Sequence, residues 1–394
     1  MHLSVRLPKV QPSEIVPPTR CPFRQGKRRC PGTQFKAHQR YCRKPVRDTR
    51  HVQVIAQRYR CLTCQRTFRL YPTGVSSAHQ SDTLKGLSVL LYLLGLSYQG
   101  VSDLLESLDL FLGKTTVYHN VQAAGQQAIR LRRQWLAPQS GQIQVLGIDC
   151  THVKRLGQDR IVAVATALLT GEPLTFDLLD SEGAVRLEQW GRDLAKTLGA
   201  EILVTDDADG MKTVAEELGL HHQICRAHVN RNTHDLIAAL GTQALERPDP
   251  VPAGLAHLSV DQFLEDLATV EWLIKSLPAD GREQLEELWE RYRLCSPPTY
   301  GHKASMWYRL RRLTLDWTEN WARLSLYQRW RSRTNQSFDG TNNVTEQVIG
   351  QSVKERYRTM RGYKRDESIL NVSSLLGWVR AQGDGYSLAG LMAS

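Results

Sequence analysis

Three carboxylates, far apart in sequence, each close a motif able to present an acid to a metal ion. Asp149 ends the apolar run Gln144-Val-Leu-Gly-Ile-Asp149, and Asp206 ends the run Glu201-Ile-Leu-Val-Thr-Asp206. Glu346 lies in Thr341-Asn-Asn-Val-Thr-Glu346, where a polar helix begins. A strand that ends on an acid delivers it to the carboxyl edge of a sheet, where ligands bind in open α/β folds. Three such acids brought together repel one another until a cation neutralises them. Mg²⁺ or Mn²⁺, hard and oxygen-seeking, is the expected guest. The chemistry open to such a centre is two-metal attack on a phosphodiester, with Asp149 bridging both ions, Asp206 on one and Glu346 on the other. At the second position Asp207 and Asp209 compete. Asp206 directly ends the strand, Asp207 should diverge from it, and Asp209 with Gly210 reads as the cap of a helix starting near Met211.

Other residue clusters carry chemistry around these acids. Cys225 and His228 stand as a Cys-x-x-His pair shortly after Asp206. With no second pair near in sequence, they read as supports of the active site more than as zinc ligands; His228 is placed to contact a phosphate or to orient an acid. Cys61 and Cys64 form a tight pair, with Cys21 and Cys30 upstream. Four thiolates suit one structural Zn²⁺, although eight residues separate Cys21 from Cys30, and Cys42 or His38 could replace one of them. Lys27, Arg28, Arg29, Arg43, Lys44, Arg47, Arg60, Arg66 and Arg69 surround this cluster and suit phosphate contacts. Lys114, Thr115, Thr116 and Tyr118, with His119, Asn120 and Gln122, open a helix with side chains able to read bases or phosphates. Lys354, Arg356 and Arg358 make the segment after Glu346 strongly basic. Trp330, between Arg329 and Arg331, is an aromatic on which an unstacked base could lie, in competition with Trp307, Trp317 and Trp321.

The elements that must position these groups follow from periodicity. Residues 1–20 are Pro-rich and read as an extended arm. Residues 21–72 read as a small zinc ribbon, with few aliphatics and short strand-like pieces. Residues 80–135 show leucines at helical spacing, then a break near Gly113, the layout of a helix-turn-helix unit. From 143 the period changes to strands at 144–150, 160–169 and 173–180. A helix (184–198), a strand (201–205), a helix (209–219) and a strand (222–225) come next. That order is the layout of a ribonuclease H-like core, here assigned to 143–228. Residues 229–335 break the pattern as an all-helical, tryptophan-rich insertion. Residues 336–394 return to the core with the helix that bears Glu346. The fold class is therefore α/β.

Bulk properties agree. The 394 residues carry 51 Lys+Arg against 40 Asp+Glu, a net charge of +11, which points to a polyanionic partner. No secretory leader is visible and the most apolar stretch, Leu87 to Leu96, is too short to span a bilayer. Eight cysteines clustered toward the start suggest metal binding in a reducing compartment more than a disulfide scaffold.

Taken in order, Gly147-Ile-Asp149, Thr205-Asp206, Cys225-x-x-His228 and Thr341-Asn-Asn-x-x-Glu346 resemble bacterial insertion-sequence DDE transposases related to the Mutator-like group. The resemblance covers roughly 143–365. It implies Asp149, Asp206 and Glu346 as the catalytic acids on Mg²⁺, with Cys225 and His228 in support. It also implies double-stranded DNA as partner, both element terminal inverted repeats and target, and a homodimer or larger assembly on that DNA. The expected location is the bacterial cytoplasm at the nucleoid, with no membrane association. Two other functions fit the same residues: a domesticated, non-cutting DNA-binding regulator, and a ribonuclease H-like nuclease that cuts without joining.

Overall fold

The computed structural model describes residues 4–139, 141–179, 185–255, 257–360, 362–383 and 385–392. The first three residues of the expected arm, and residues 180 and 184 at the ends of two expected elements, lie outside these. The chain divides into two compact units, one of residues 1–135, 153–159 and 350–394, the other of 136–152 and 160–349.

The first unit opens with β1 (Ser4–Arg6). Its arm is not free: Pro8 accepts a hydrogen bond from the Thr83 hydroxyl at 2.8 Å. Then come β2 (Arg24–Gln25), β3 (Arg28–Arg29), β4 (Phe35–Ala37), β5 (Cys42–Pro45), β6 (Gln53–Cys61) and β7 (Thr67–Leu70). The long β6 pairs antiparallel with β4, β5 and β7. Helices α1 (Asp82–Leu93), α2 (Tyr98–Ser107) and α3 (Lys114–Leu136) follow. Ser81 and Ser97 cap α1 and α2, each accepting the N–H three residues on.

The second unit holds β8 (Val145–Arg155) and β9 (Gln158–Ala167) apart from their joined ends at 153–159, with β10 (Glu172–Leu179), α4 (Val185–Leu198), β11 (Ile202–Thr205), α5 (Asp209–Glu217) and β12 (His221–Ile224). The five strands lie in the order β10-β9-β8-β11-β12, with β8, β11 and β12 mutually parallel. Buried on both faces, β8, β9 and β11 read in sequence as near-continuous apolar runs. The helices α6 (Arg226–Glu246), α7 (Val260–Ser276), α8 (Gly281–Tyr292), α9 (Met306–Leu324) and α10 (Leu326–Thr334) come next, then the short α11 (Asn343–Ile349). Phe263, Tyr292, Trp307, Trp317 and Trp321 fill the core of the helical part.

The chain then re-enters the first unit. A π-helical turn at Gly350–Lys354 leads to α12 (Glu355–Met360), α13 (Asp366–Ala381), β13 (Gly385–Ser387) and α14 (Ala389–Met392). Strand β13 pairs parallel with β1. Residues 336–394 thus do not stay together: they divide at Ile349. No helix among the described residues is long and apolar enough to cross a membrane.

Candidate functional site

The register of β8 against β11 sets the first two acids. The last paired position is Gly147 with Val204, and Asp149 and Asp206 each lie two residues beyond it. Parallel neighbours in register project to the same side of a sheet, so both acids face one side, although among the described residues Asp149, Asp206 and Glu346 do not form a set with ligand atoms within 4.8 Å of one another. Burial pushes Asp149 up to about 6, with the Asp206 and Glu346 carboxylates adding to the rise. The Cys150 N–H, donating at 2.7 Å, and His228 oppose it. Asp206 is exposed and accepts from the Ala208 N–H at 3.2 Å. Its rivals are engaged elsewhere, since Lys212 pairs with Asp207 at 2.6 Å and with Asp209 at 3.1 Å. Ala208, not Asp209, is the N-cap of α5; Asp209 sits in the first turn, where a negative charge favours the helix dipole.

Glu346 reaches this place through a clasp the sequence analysis did not identify. Asn342, fully buried, donates from Nδ2 to the Ile148 carbonyl at 2.8 Å, and its backbone N–H donates to Cys225 Sγ at 3.1 Å. Its Oδ1 accepts from Thr345 Oγ1 at 2.5 Å, and Thr345 also meets Thr166 Oγ1 at 2.6 Å. Gly147 permits this approach, because a Cβ there would stand 2.5 Å from Asn342 Oδ1 and 2.6 Å from Thr345 Oγ1. The signal was present as the Thr-Asn-Asn run before Glu346, but nothing local assigned Asn342 its partners.

Cys225 and His228 flank Glu346. Cys225 follows β12, fully buried, with its N–H on the Thr205 carbonyl at 2.8 Å. His228 Nε2 lies 3.3 Å from Glu346 Oε1. The Cys225 side chain foremost, with Glu346 and Asp149, holds His228 above the usual imidazole range against the effect of burial. One ligand atom each from Cys225, His228 and Glu346 falls within 4.8 Å of the others, a set that could itself hold a metal ion. Glu346 Oε1 and His228 Nδ1 are buried without a hydrogen-bond partner. A cation would relieve the underbonded Glu346 oxygen, but the set mixes thiol, imidazole and carboxylate, softer donors than the oxygen shell that Mg²⁺ prefers.

A second metal-ligating group lies in the first unit. Cys21, Cys30, Cys61 and Cys64 bring their sulfurs within 4.8 Å of one another and are positioned to coordinate a metal ion. Cys21 Sγ is 3.6 Å from Cys64 Sγ, and Cys30 Sγ is 3.9 Å from Cys61 Sγ. Thiolates about 2.3 Å from a tetrahedral Zn²⁺ stand about 3.8 Å apart, which these separations match. The wide Cys21–Cys30 spacing has a simple cause. The β2–β3 hairpin fills it, and at its base the Cys30 N–H bonds the Phe23 carbonyl at 2.9 Å. N–H groups of Cys64 and Thr63 pull the Cys61 thiol down to about 6, whereas burial pushes Cys21 up to about 12. Cys42 instead donates its thiol to the Ala56 carbonyl.

The residues expected to touch DNA divide. Lys114 and Thr115 are exposed at the start of α3, Thr116 and Tyr118 half-buried, and Lys354 and Arg358 exposed. Arg356 is a correction: it is 6% exposed, donates to the Gly95 and Leu96 carbonyls, and covers the Tyr92 ring at 3.9 Å. It closes the end of α1 and is not a free phosphate contact. Trp330 is a second correction, 2% exposed in a cluster with Val145, Ile202 and Phe338, so its ring is core. Trp307, Trp317 and Trp321 are core as well. Asn120 and Gln122 are buried and hydrogen-bonded to Gln80, Ser88 and Asn371, leaving them no reach to bases. Lys44 is spent on the Ser76 and Ala78 carbonyls.

No protein-family model matches the chain, and no curated protein matches it.

Proposed function

We propose that the protein is a DNA transposase of the DDE type, built on a ribonuclease H-like core. It would bind the terminal inverted repeats of a mobile element, cleave the element ends by phosphodiester hydrolysis and join the 3′ ends to target DNA. The observation that carries the reading is electrostatic: Asp149 is held up at about 6 by burial, and Asp206 and Glu346, from 57 and 197 residues away in sequence, both act on it. The strand order with β8 central, and the acids two residues beyond one register position, support it.

Asp149, Asp206 and Glu346 would hold Mg²⁺, which when bound supplies Lewis-acid activation of a nucleophile and stabilisation of the leaving oxygen. The chain's own residues do the rest. Asn342 and Thr345 fix the start of α11 so that Glu346 cannot drift. His228 stands 3.3 Å from the Glu346 carboxylate and, with its pKa raised by Cys225, Glu346 and Asp149, would offer a positive charge to a phosphate when protonated. The four-cysteine cluster would bind Zn²⁺ and stiffen a strongly cationic surface, and Lys114 and Thr115 would meet the duplex from the start of α3. Two element ends must be held together for joining, which calls for a dimer or larger assembly on double-stranded DNA.

The test is cleavage of a labelled duplex carrying an element end and its flank, with Mg²⁺, by wild type and by Asp149→Asn. Wild type should release a 3′-hydroxyl end and transfer it to a target plasmid, and the variant should bind DNA without cutting. Mg²⁺-dependent cleavage that persists in Asp149→Asn would sink the assignment. Cleavage without transfer would make the protein a nuclease.

A further inference from the structure

The first unit contains a cavity of about 680 Å³ that the proposed catalytic chemistry does not use. Its size falls in the range of about 300–1,000 Å³ typical of small-ligand sites. Two helix N-termini open on it. Lys114 and Thr115 come from the first turn of α3, and Arg365 and Ser368 from the start of α13. Arg365 occupies the N-cap of α13 and its side chain makes no capping bond, in contrast to Ser97, which caps α2 at the same cavity. Helix N-termini favour anions. Lys364 adds a further exposed cation, and no Asp or Glu is among the fifteen lining residues. Two acids stand in the first turn of α13, Asp366, which pairs with Arg155 at 3.1 Å, and the exposed Glu367, and neither lines the cavity.

The opposite character is also present. Tyr92 and Tyr98 stack at 4.7 Å with planes 8° apart, and Tyr118 meets Tyr98 edge-on at 5.5 Å; Tyr92 is buried between Tyr98 and Arg356, so the half-buried Tyr98 and Tyr118 are the rings that form the wall. Two buried polar groups at the cavity lack partners. The Tyr363 hydroxyl, in a residue 2% exposed, has no hydrogen bond, and neither does Nε of Arg356. Burial pushes Tyr363 upward, so its hydroxyl keeps its proton and remains a donor. A buried hydroxyl without a partner is costly unless a ligand or water supplies one.

From this combination we infer that the cavity is a nucleotide site, taking a phosphate at the two helix N-termini beside Lys364 and Arg365, and a flat base along the Tyr98 and Tyr118 wall next to Tyr363, whose buried hydroxyl the base would uncover and satisfy. Aromatic rings beside cations are what unstacked nucleotides seek. The same chemistry is offered by a free nucleotide and by one turned out of a DNA strand. The inference rests only on residues of the first unit and stands whether or not the second unit cuts DNA.

The experiment measures binding by the full chain. Isothermal titration with dAMP tests the free nucleotide, and the fluorescence of a single-stranded oligonucleotide carrying 2-aminopurine tests the strand. The variants are Tyr363→Phe, which removes only the hydroxyl, Lys364→Glu with Arg365→Glu, and Lys196→Ala on α4 as a charge control. For whichever source binds, charge reversal should weaken affinity at least about tenfold. Tyr363→Phe should weaken it roughly fivefold, and Lys196→Ala should leave it unchanged. Binding of dAMP assigns a free nucleotide; binding of the strand alone assigns an extruded one. Failure of both to bind overturns the inference. So does a loss on charge reversal that Tyr363→Phe does not share, since surface electrostatics would then account for it.

Discussion

At the scale of single residues, the second unit holds two titratable groups whose burial pulls stability in opposite directions with pH. Asp149 is raised to about 6 in the folded protein, against about 3.9 for a free Asp. The folded state therefore keeps a proton that the unfolded chain releases, and cation-free stability falls as pH rises from about 4 through 6. Asp149→Asn should stabilise the cation-free protein at pH 7.5 by at most about 3 kcal/mol and have little effect near pH 4. If the proposed centre holds Mg²⁺ or Mn²⁺, the ion should raise the melting temperature of the wild type and not that of Asp149→Asn, which a thermal scan with and without the ion reads directly. A variant as responsive to the ion as wild type would remove Asp149 from the centre. His222 behaves in the opposite sense. Burial, with Arg323 and Lys212 nearby, lowers it to about 3, and its Nε2 meets Thr205 Oγ1 at 2.9 Å. The unfolded chain takes up the proton first, so stability present above pH 6.5 is lost as pH falls toward 3. His222→Gln should flatten that acid limb in urea titrations from pH 7 to 4, at a cost of about 1 kcal/mol at neutral pH. An unchanged acid limb would mean that other groups control it.

At the scale of elements, two close approaches decide whether the metal-ligating sets form. Helix α11 has only seven residues and cannot stand alone, so its position depends on the Asn342 clasp against β8. Asn342→Ala should cost about 2–3 kcal/mol, the price of leaving buried polar groups unpaired. Gly147→Ala should cost a similar amount, of order 2 kcal/mol, by forcing α11 away. Both should blunt the response to Mg²⁺ while leaving zinc content untouched; metal analysis beside the thermal scan separates these effects. In the first unit, Gly32 lies against the cysteine cluster, and a Cβ there would stand 2.5 Å from Cys61 Sγ. Gly32→Ala should lower zinc retention during dialysis against a chelator and leave the Mg²⁺ response intact. Equal retention of zinc would show that the cluster yields more easily than its geometry implies. These elements were largely legible in the sequence. The strands and helices from 144 to 225 fall within about two residues of expectation, except that β8 runs on to Arg155, five residues past its expected end at 150, because buried parallel strands are continuous apolar runs and helices show the 3.6 period. The clasp was not legible, because an Asn before a helix reads as an ordinary cap whichever partner it finds.

At the scale of the whole molecule, the first unit draws its chain from both ends. Strand β1 has its partner in β13, Asn371 of α13 bonds Gln122 of α3, and Arg356 of α12 closes the end of α1. Residues 1–135 expressed alone should therefore fold poorly beyond the cysteine cluster. Addition of residues 350–394 in trans should restore protection of α1–α3 from limited proteolysis. A fragment 1–135 with sharp near-UV circular dichroism and full protease resistance would show that the helices need no C-terminal segment.

The sequence by itself determined the acids at strand ends, the paired cysteines, the positive charge and the sites of the helices, all of which follow from chain-local spacing. Only the tertiary structure decided which side chains remain free. Arg356 and Trp330 carry the types expected of a nucleic-acid contact and are buried. Likewise, residues 336–394 read as one segment and divide between two units. The reason is physical: residue type and period fix what a side chain can do, but burial and partners are set by segments hundreds of residues away, and no local pattern records which of them arrives.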